Sequence, residues 1–186
     1  MKKVHYVTGN PSKIANAQAF LAQYDIEVEQ LTATVNEIQA EHGVDVAIQK
    51  ARDAYAQTGV ALFINDAEWI IPALGGFPGP YMKYVAQWLT LDDFIRLTAP
   101  LHDRTIILRD TIVYVDEQGE KVFTNDVKGS ILTEPKGEPR GPFVTQLVSL
   151  RADGMSLAQD TSIGFSQDEA TLWHEFGQWL SRTKSE

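Results

Sequence analysis

The chain has 186 residues, 44% hydrophobic and 22% charged, which suffices for one sizeable core and excludes a disordered composition. Its net charge of −9, from 16 basic and 25 acidic residues, argues against a nucleic-acid-binding surface. A few local lysines and a divalent cation can still neutralise a triphosphate. The absence of cysteine excludes disulfides, thiolate catalysis and cysteine-ligated zinc.

Apolar runs such as Ile70 to Leu74 are far shorter than the roughly 20 residues of a membrane-spanning helix. The two lysines after Met1 are not followed by the apolar stretch of a signal peptide. The expectation is a single cytoplasmic domain over residues 1–186, with no membrane and no nucleic-acid partner.

Lys3 to Thr8 alternates and carries β-branched residues, which predicts a strand. Asn10 stands as N-cap before Pro11, and Ile14, Ala17, Phe20 and Leu21 have helical spacing, so a helix spans 11–21. Ile26 to Leu31 reads as a second strand. Asp45 to Gln57 reads as a helix closed by Gly59. Val60 to Asn65 is a continuous apolar run, predicting a buried strand that ends on Asp66. Tyr81 to Leu89 and Leu91 to Leu97 form two short helices broken at Thr90. Arg104 to Val115 and Lys121 to Leu132 form a long hairpin turning through Asp116-Glu117-Gln118-Gly119. Residues 133–142 are a loop rich in glycine, proline and charge. Phe143 to Leu150 reads as a strand and Asp168 to Leu180 as a closing helix. This pattern predicts an α/β (α+β) fold with a mixed sheet flanked by helices. The four tryptophans are expected to pack.

Two segments could carry chemistry. Thr8-Gly9-Asn10-Pro11-Ser12-Lys13 takes a strand into a helix, where backbone N–H groups and the dipole favour an anion and Lys13 adds a charge. It lacks the second glycine and Gly-Lys-Ser/Thr of a Walker A loop, and an ordinary strand–turn–helix junction explains it equally well. Gly9 would allow positive φ or close approach of a ligand. Asp66 closes an apolar run, where a carboxylate needs a cation or a hydrogen-bonded turn. Lys50 lies on the apolar stripe of its helix, out of place unless it snorkels or meets an anion. Lys83 opens a helix behind Gly75-Gly76-Phe77-Pro78-Gly79, where the dipole disfavours a cation. Read one at a time, Glu37, Lys50 and Lys83 are better explained as solvent-exposed side chains. The four histidines have no metal-ligand spacing.

Taken together, these segments resemble the inosine triphosphate pyrophosphatase family, enzymes that clear non-standard purine nucleoside triphosphates. The resemblance lies in Thr8 to Lys13 (Thr-Gly-Asn-x-x-Lys), Glu37-Ile38-Gln39, Lys50 in Ile48-Gln49-Lys50-Ala51, Asp66, and Ala73 to Lys83 (Ala-Leu-Gly-Gly-x-Pro-Gly-Pro-Tyr-x-Lys). It covers Val4 to Tyr84 in order.

The resemblance implies a twisted sheet with two lobes around a central cleft and a homodimer. It implies Mg²⁺, or another divalent cation such as Mn²⁺, held by Glu37 and Asp66, with Asp66 also as catalytic base. Thr8, Gly9, Asn10, Lys13, Lys50 and Lys83 would bind the triphosphate. The family's aromatic-Gly-aromatic-Asp-Pro segment is replaced by Arg140-Gly141-Pro142-Phe143-Val144-Thr145-Gln146, which leaves Phe143 as the aromatic that could meet the base. Its Ser-His-Arg is replaced by Ser166-Gln167-Asp168-Glu169-Ala170, and its acidic-Asp-Ser/Thr by Asn65-Asp66-Ala67. The phosphate machinery therefore looks intact, and base selection rebuilt or lost. Two alternatives follow: a nucleotide-binding relative without catalysis, or a pyrophosphatase with a changed substrate.

Overall fold

The computed structural model describes residues 2–160 and 167–183. The seven strands are β1 (Lys2–Val7), β2 (Ile26–Leu31), β3 (Leu62–Ile70), β4 (Pro78–Gly79), β5 (Thr105–Asp116), β6 (Gly119–Ile131) and β7 (Val148–Ser149). The helices are α1 (Pro11–Leu21), α2 (Gly43–Thr58), α3 (Met82–Trp88), α4 (Leu91–Thr98), α5 (Val144–Leu147) and α6 (Gln167–Arg182). The strands form a mixed sheet in the order β2-β1-β3-β5-β6-β7, with β4 also paired to β3. Strand β1 runs parallel to β2 and β3, whereas β4 on β3 and β7 on β6 are antiparallel.

The chain divides into two compact units, and β3, β5 and β6 contribute residues to both. The first unit holds residues 1–66, 110–125 and 164–186. Its strands are apolar on both faces: Phe63, Ile112 and Tyr114 join one cluster, Leu62, Ile64, Val113 and Val115 another. Helices α1 and α6 supply Ala17, Leu21, Leu172, Trp173, Phe176 and Leu180 to the first cluster. Helix α2 supplies Ala47, Ala51 and Ala54 to the second. Burial on both faces explains the uninterrupted apolar runs of β3 and β5. The second unit holds residues 67–109 and 126–163, with a core of Ile71, Met82, Phe94, Ile106, Ile131, Val144, Leu147 and Val148.

Most predicted elements are present within a few residues of their expected bounds. Asn10 caps α1 with its side chain, and Gly59 closes α2 at φ 65°, in the left-handed region that glycine enters without strain. Thr90 separates α3 from α4 through a capping box with Asp93.

Three expectations are corrected. Strand β3 does not stop at Asn65 but continues to Ile70, because Trp69 and Ile70 resume the strand by pairing with Gly79 and Pro78. Residues 143–150 are not one strand: Thr145 and Gln146 donate back to Pro142 and Phe143, forming the short turn of α5, and only Val148–Ser149 pair with β6. Trp88 is 72% exposed and stacks on Tyr84 instead of entering a core, while Trp173 is buried as expected.

Candidate active site

Helix α1 starts with Pro11, whose missing N–H would be unbonded there in any case. Asn10 Oδ1 accepts from the Ser12 and Lys13 N–H groups, at 2.9 and 3.4 Å. The Asn10 N–H donates to Thr8 Oγ1 at 3.1 Å. The turn therefore satisfies much of its own backbone, and Lys13 is the strongest positive group it presents. Gly9 is not at positive φ, and a Cβ built on it would meet nothing within 4 Å. Its surroundings are open, and no strained backbone requires glycine there.

Half-buried Lys13 reaches from α1 to β3, donating to the Asn65 carbonyl at 3.1 Å. Asp66 follows directly in the chain. Lys50, projecting from α2, places its ammonium 2.7 Å from Asp66 Oδ2 and 2.9 Å from Glu37 Oε1. Glu37 comes from the irregular segment between β2 and α2. The Lys50 side chain is only 15% exposed, whereas the two carboxylates are about a third exposed. Burial works to lower the Lys50 pKa, but Asp66 and Glu37 outweigh it and hold the pKa above the ordinary lysine value.

Behind this group lie two residues that sequence reasoning did not single out. Asn65 Nδ2 donates to Asp110 Oδ1 at 2.6 Å and to the Thr111 carbonyl at 3.3 Å. Asp110 is 8% exposed. Tyr6 stacks on Phe63 with its ring centre 4.4 Å away, and its hydroxyl is buried. Burial first, then the nearby Asp110 and Asp66 carboxylates, push its pKa upward. A charged residue inside an apolar strand, as Asp110 is before Thr111-Ile112-Val113, was the available signal.

Thr8, Asn10, Lys13, Glu37, Lys50 and Asp66 all belong to the first unit, where Glu37 and Asp66 share the Lys50 ammonium and Lys13 reaches the residue before Asp66. Lys83 and Phe143 belong to the second unit. Lys83 is the second residue of α3, its Nζ 5.8 Å above the Tyr84 ring. The Phe143 ring is half-buried and packs on Phe94, with centroids 5.4 Å apart. Ser166, where the resemblance places a Ser-His-Arg motif, lies outside the described residues.

Two carboxylates already share one cation, the Lys50 ammonium, which stands where a second cation would find hard oxygen donors. Among the described residues, no group of three or more His, Cys, Asp or Glu converges on a common metal position. Glu37 and Asp66 supply carboxylate oxygens of the type that a hard divalent cation takes.

Comparison with known proteins identifies relatives. Residues 4–143 match the model of the Ham1 family. The dITP/XTP pyrophosphatase of Pyrobaculum aerophilum is 34% identical over 184 residues, 96% of each chain. That of Methanopyrus kandleri is 33% identical over 137 residues, 73% of each. A HAM1 protein from Coxiella burnetii shares the fold with a TM-score of 0.79 at 22% identity, covering 98% of this chain and 100% of its own. The Ham1 protein of Staphylococcus aureus does so with a TM-score of 0.77 at 17% identity, covering 96% and 100%. Among the described residues no helix is long and apolar enough to cross a membrane.

Proposed function

We propose that this chain, which belongs to the Ham1 family, hydrolyses non-standard purine nucleoside triphosphates to the monophosphate and pyrophosphate. The observation that carries the reading is the Lys50 ammonium held jointly by Glu37 and Asp66, with Lys13 anchored on the residue before Asp66. The relatives named dITP/XTP pyrophosphatases, one of them similar along nearly the whole chain, support the same substrate class.

Glu37 and Asp66 would hold Mg²⁺, which when bound would polarise phosphate oxygens and acidify water. Asp66 accepts the proton of the attacking water. The water oxygen forms a bond to the α-phosphorus, the bond from that phosphorus to the bridging oxygen breaks, and pyrophosphate leaves with the electron pair. Lys13 and Lys50 neutralise charge on the phosphate oxygens, and such fixed charge is usually the largest contribution to phosphoryl transfer. Thr8, Gly9 and Asn10 shape the turn that sets Lys13. The same membership supports a homodimer acting in the cytoplasm, and light scattering on the purified protein reads the first of these.

Pyrophosphate release from a panel of ITP, XTP, dITP, ATP, GTP, CTP and UTP, with Mg²⁺ and with chelator, tests the whole reading. The expected result is release from ITP, XTP and dITP ahead of the standard nucleotides, abolished by chelator. Binding of nucleotide without release at any pH would instead favour a sensor. Release from pyrimidine triphosphates alone would reassign the substrate.

A further inference from the structure

Asp110 is outside the set of residues that hydrolysis employs, yet it is tied to them. Its carboxylate is buried in β5, where an ionised group is costly unless it is hydrogen-bonded. Asn65 supplies such a bond at 2.6 Å, and its amide also reaches the Thr111 carbonyl. From the other side, Lys13 donates to the Asn65 carbonyl. One asparagine therefore links α1, β3 and β5, and the peptide that leaves it carries Asp66. With its amide held by the Asp110 carboxylate and the Thr111 carbonyl and its own carbonyl held by Lys13, Asn65 has little freedom to shift. Placement matters here, because a displacement of roughly 1 Å in a reacting group can cost about a hundredfold in rate.

We propose that Asp110 is a positioning residue for the hydrolysis: through Asn65 it fixes the stretch of β3 from which Asp66 projects. The inference rests on the hydrolytic reading above. It assigns this chain's Asn65 a specific partner, and explains how an amide can stand beside the catalytic carboxylate: its Nδ2 donates to a buried carboxylate across the sheet.

The test uses Asp110→Ala, Asn65→Asp, and the exchange Asn65→Asp with Asp110→Asn, which restores an amide–carboxylate bond of reversed polarity. Turnover of ITP in Mg²⁺ and backbone amide exchange at residues 65–67 are both measured, well below each variant's melting temperature. Asp110→Ala and Asn65→Asp are expected to lower kcat about 10- to 100-fold with KM nearly unchanged. Amide protection at 65–67 should fall in both, and the exchange variant should recover both quantities to within about threefold. A lost bond that mattered only to stability would lower the melting temperature and leave kcat in place. Should Asp110→Ala fail to fold, Asn65→Asp and the isosteric exchange carry the comparison. Asp110→Ala with kcat within twofold of wild type would overturn the proposal, as would an exchange variant as slow as the single substitutions. If the wild-type protein releases no pyrophosphate, the hydrolytic reading fails. The exchange pattern still decides whether Asp110 positions β3, and unchanged protection in Asp110→Ala would end that claim.

Discussion

Lys50 Nζ lies 2.7 Å from Asp66 Oδ2, joining α2 to β3 across 16 residues of sequence, and the same ammonium holds Glu37. A lysine on an apolar helix stripe is thereby explained: it is buried because two carboxylates meet it, not because its stem snorkels to water. Replacing it by methionine keeps the stem and leaves two carboxylates facing each other. Because those carboxylates keep a third of their exposure, the loss should stay below the 3–5 kcal/mol of a fully buried pair, at about 1–2 kcal/mol.

The pH dependence of that loss has a definite sign. Lys50 has a raised pKa in the fold, so its contribution is complete below the unfolded value near 10.5 and disappears as pH climbs through the higher folded value. Urea midpoints of wild type and Lys50→Met, taken from pH 8 to 11.5, should differ by a constant amount up to about pH 10 and converge above it. A gap that widens at alkaline pH would show that the ammonium is not what stabilises this group.

Asp66 and Glu37 should separate by function. Asp66→Asn removes the proton acceptor while keeping shape, and should lower kcat by about 10²- to 10⁴-fold with the fold intact by circular dichroism. Glu37→Gln should chiefly raise the Mg²⁺ concentration needed for half-maximal rate, because it keeps the proton acceptor and loses one anionic ligand. A titration of rate against Mg²⁺ distinguishes the two. Wild-type turnover in Asp66→Asn would remove Asp66 from the base role.

Much of this site was legible in the sequence because its elements announce themselves locally. Asn10-Pro11 marks a helix start, Gly59 a helix end, and Val60 to Asn65 a buried strand; these three place Lys13 in the first turn of α1, Lys50 within α2 and Asp66 on β3. What local pattern could not supply was the pairing between distant elements. Nothing near Asp110 in the chain indicates that Asn65 will face it 45 residues away. The continuation of β3 past Asp66 was hidden because Asn-Asp reads as a turn, while pairing with β4 overrides that preference. Phe143 was legible as an aromatic of interest, but its packing on Phe94 depends on α4 and is invisible along the sequence. In the same way Val144 and Val148 suggest a strand until the turn after Pro142 is taken into account.

Phe176 holds the first unit's aromatic core together. Its ring lies 4.9 Å from Phe63, 5.6 Å from Phe123 and 6.5 Å from both Tyr114 and Trp173, and the residue is fully buried. Truncation to alanine removes the ring from all four neighbours and should cost about 3–5 kcal/mol. Leucine, which fills more of the space, should cost distinctly less. Chemical denaturation of the two variants gives the comparison, and equal losses would mean that the neighbours collapse to fill the gap.

Two glycines make a ranked pair in which helix propensity and packing oppose each other. Gly177 lies inside α6, where alanine is favoured by about 1 kcal/mol over glycine. A Cβ there, however, would come within 2.5 Å of the Tyr24 ring, which the His174 hydrogen bond helps to hold. Overpacking of this kind costs about 1–3 kcal/mol, so packing wins and Gly177→Ala should destabilise slightly to moderately. At Gly129, inside β6, the clash is with backbone and is harder to relieve: a Cβ would sit 2.3 Å from the Ser149 carbonyl oxygen, which belongs to β7 in the pairing of Ser130 with Ser149. Relief requires moving backbone and disturbing that pairing. Gly129→Ala should therefore melt below Gly177→Ala, with each kcal/mol lowering the midpoint by about 2–4 °C in a chain of this size. Thermal melts of both variants check the ranking, and a Gly177→Ala protein more stable than wild type would show that the Tyr24 ring yields more easily than its hydrogen bond suggests.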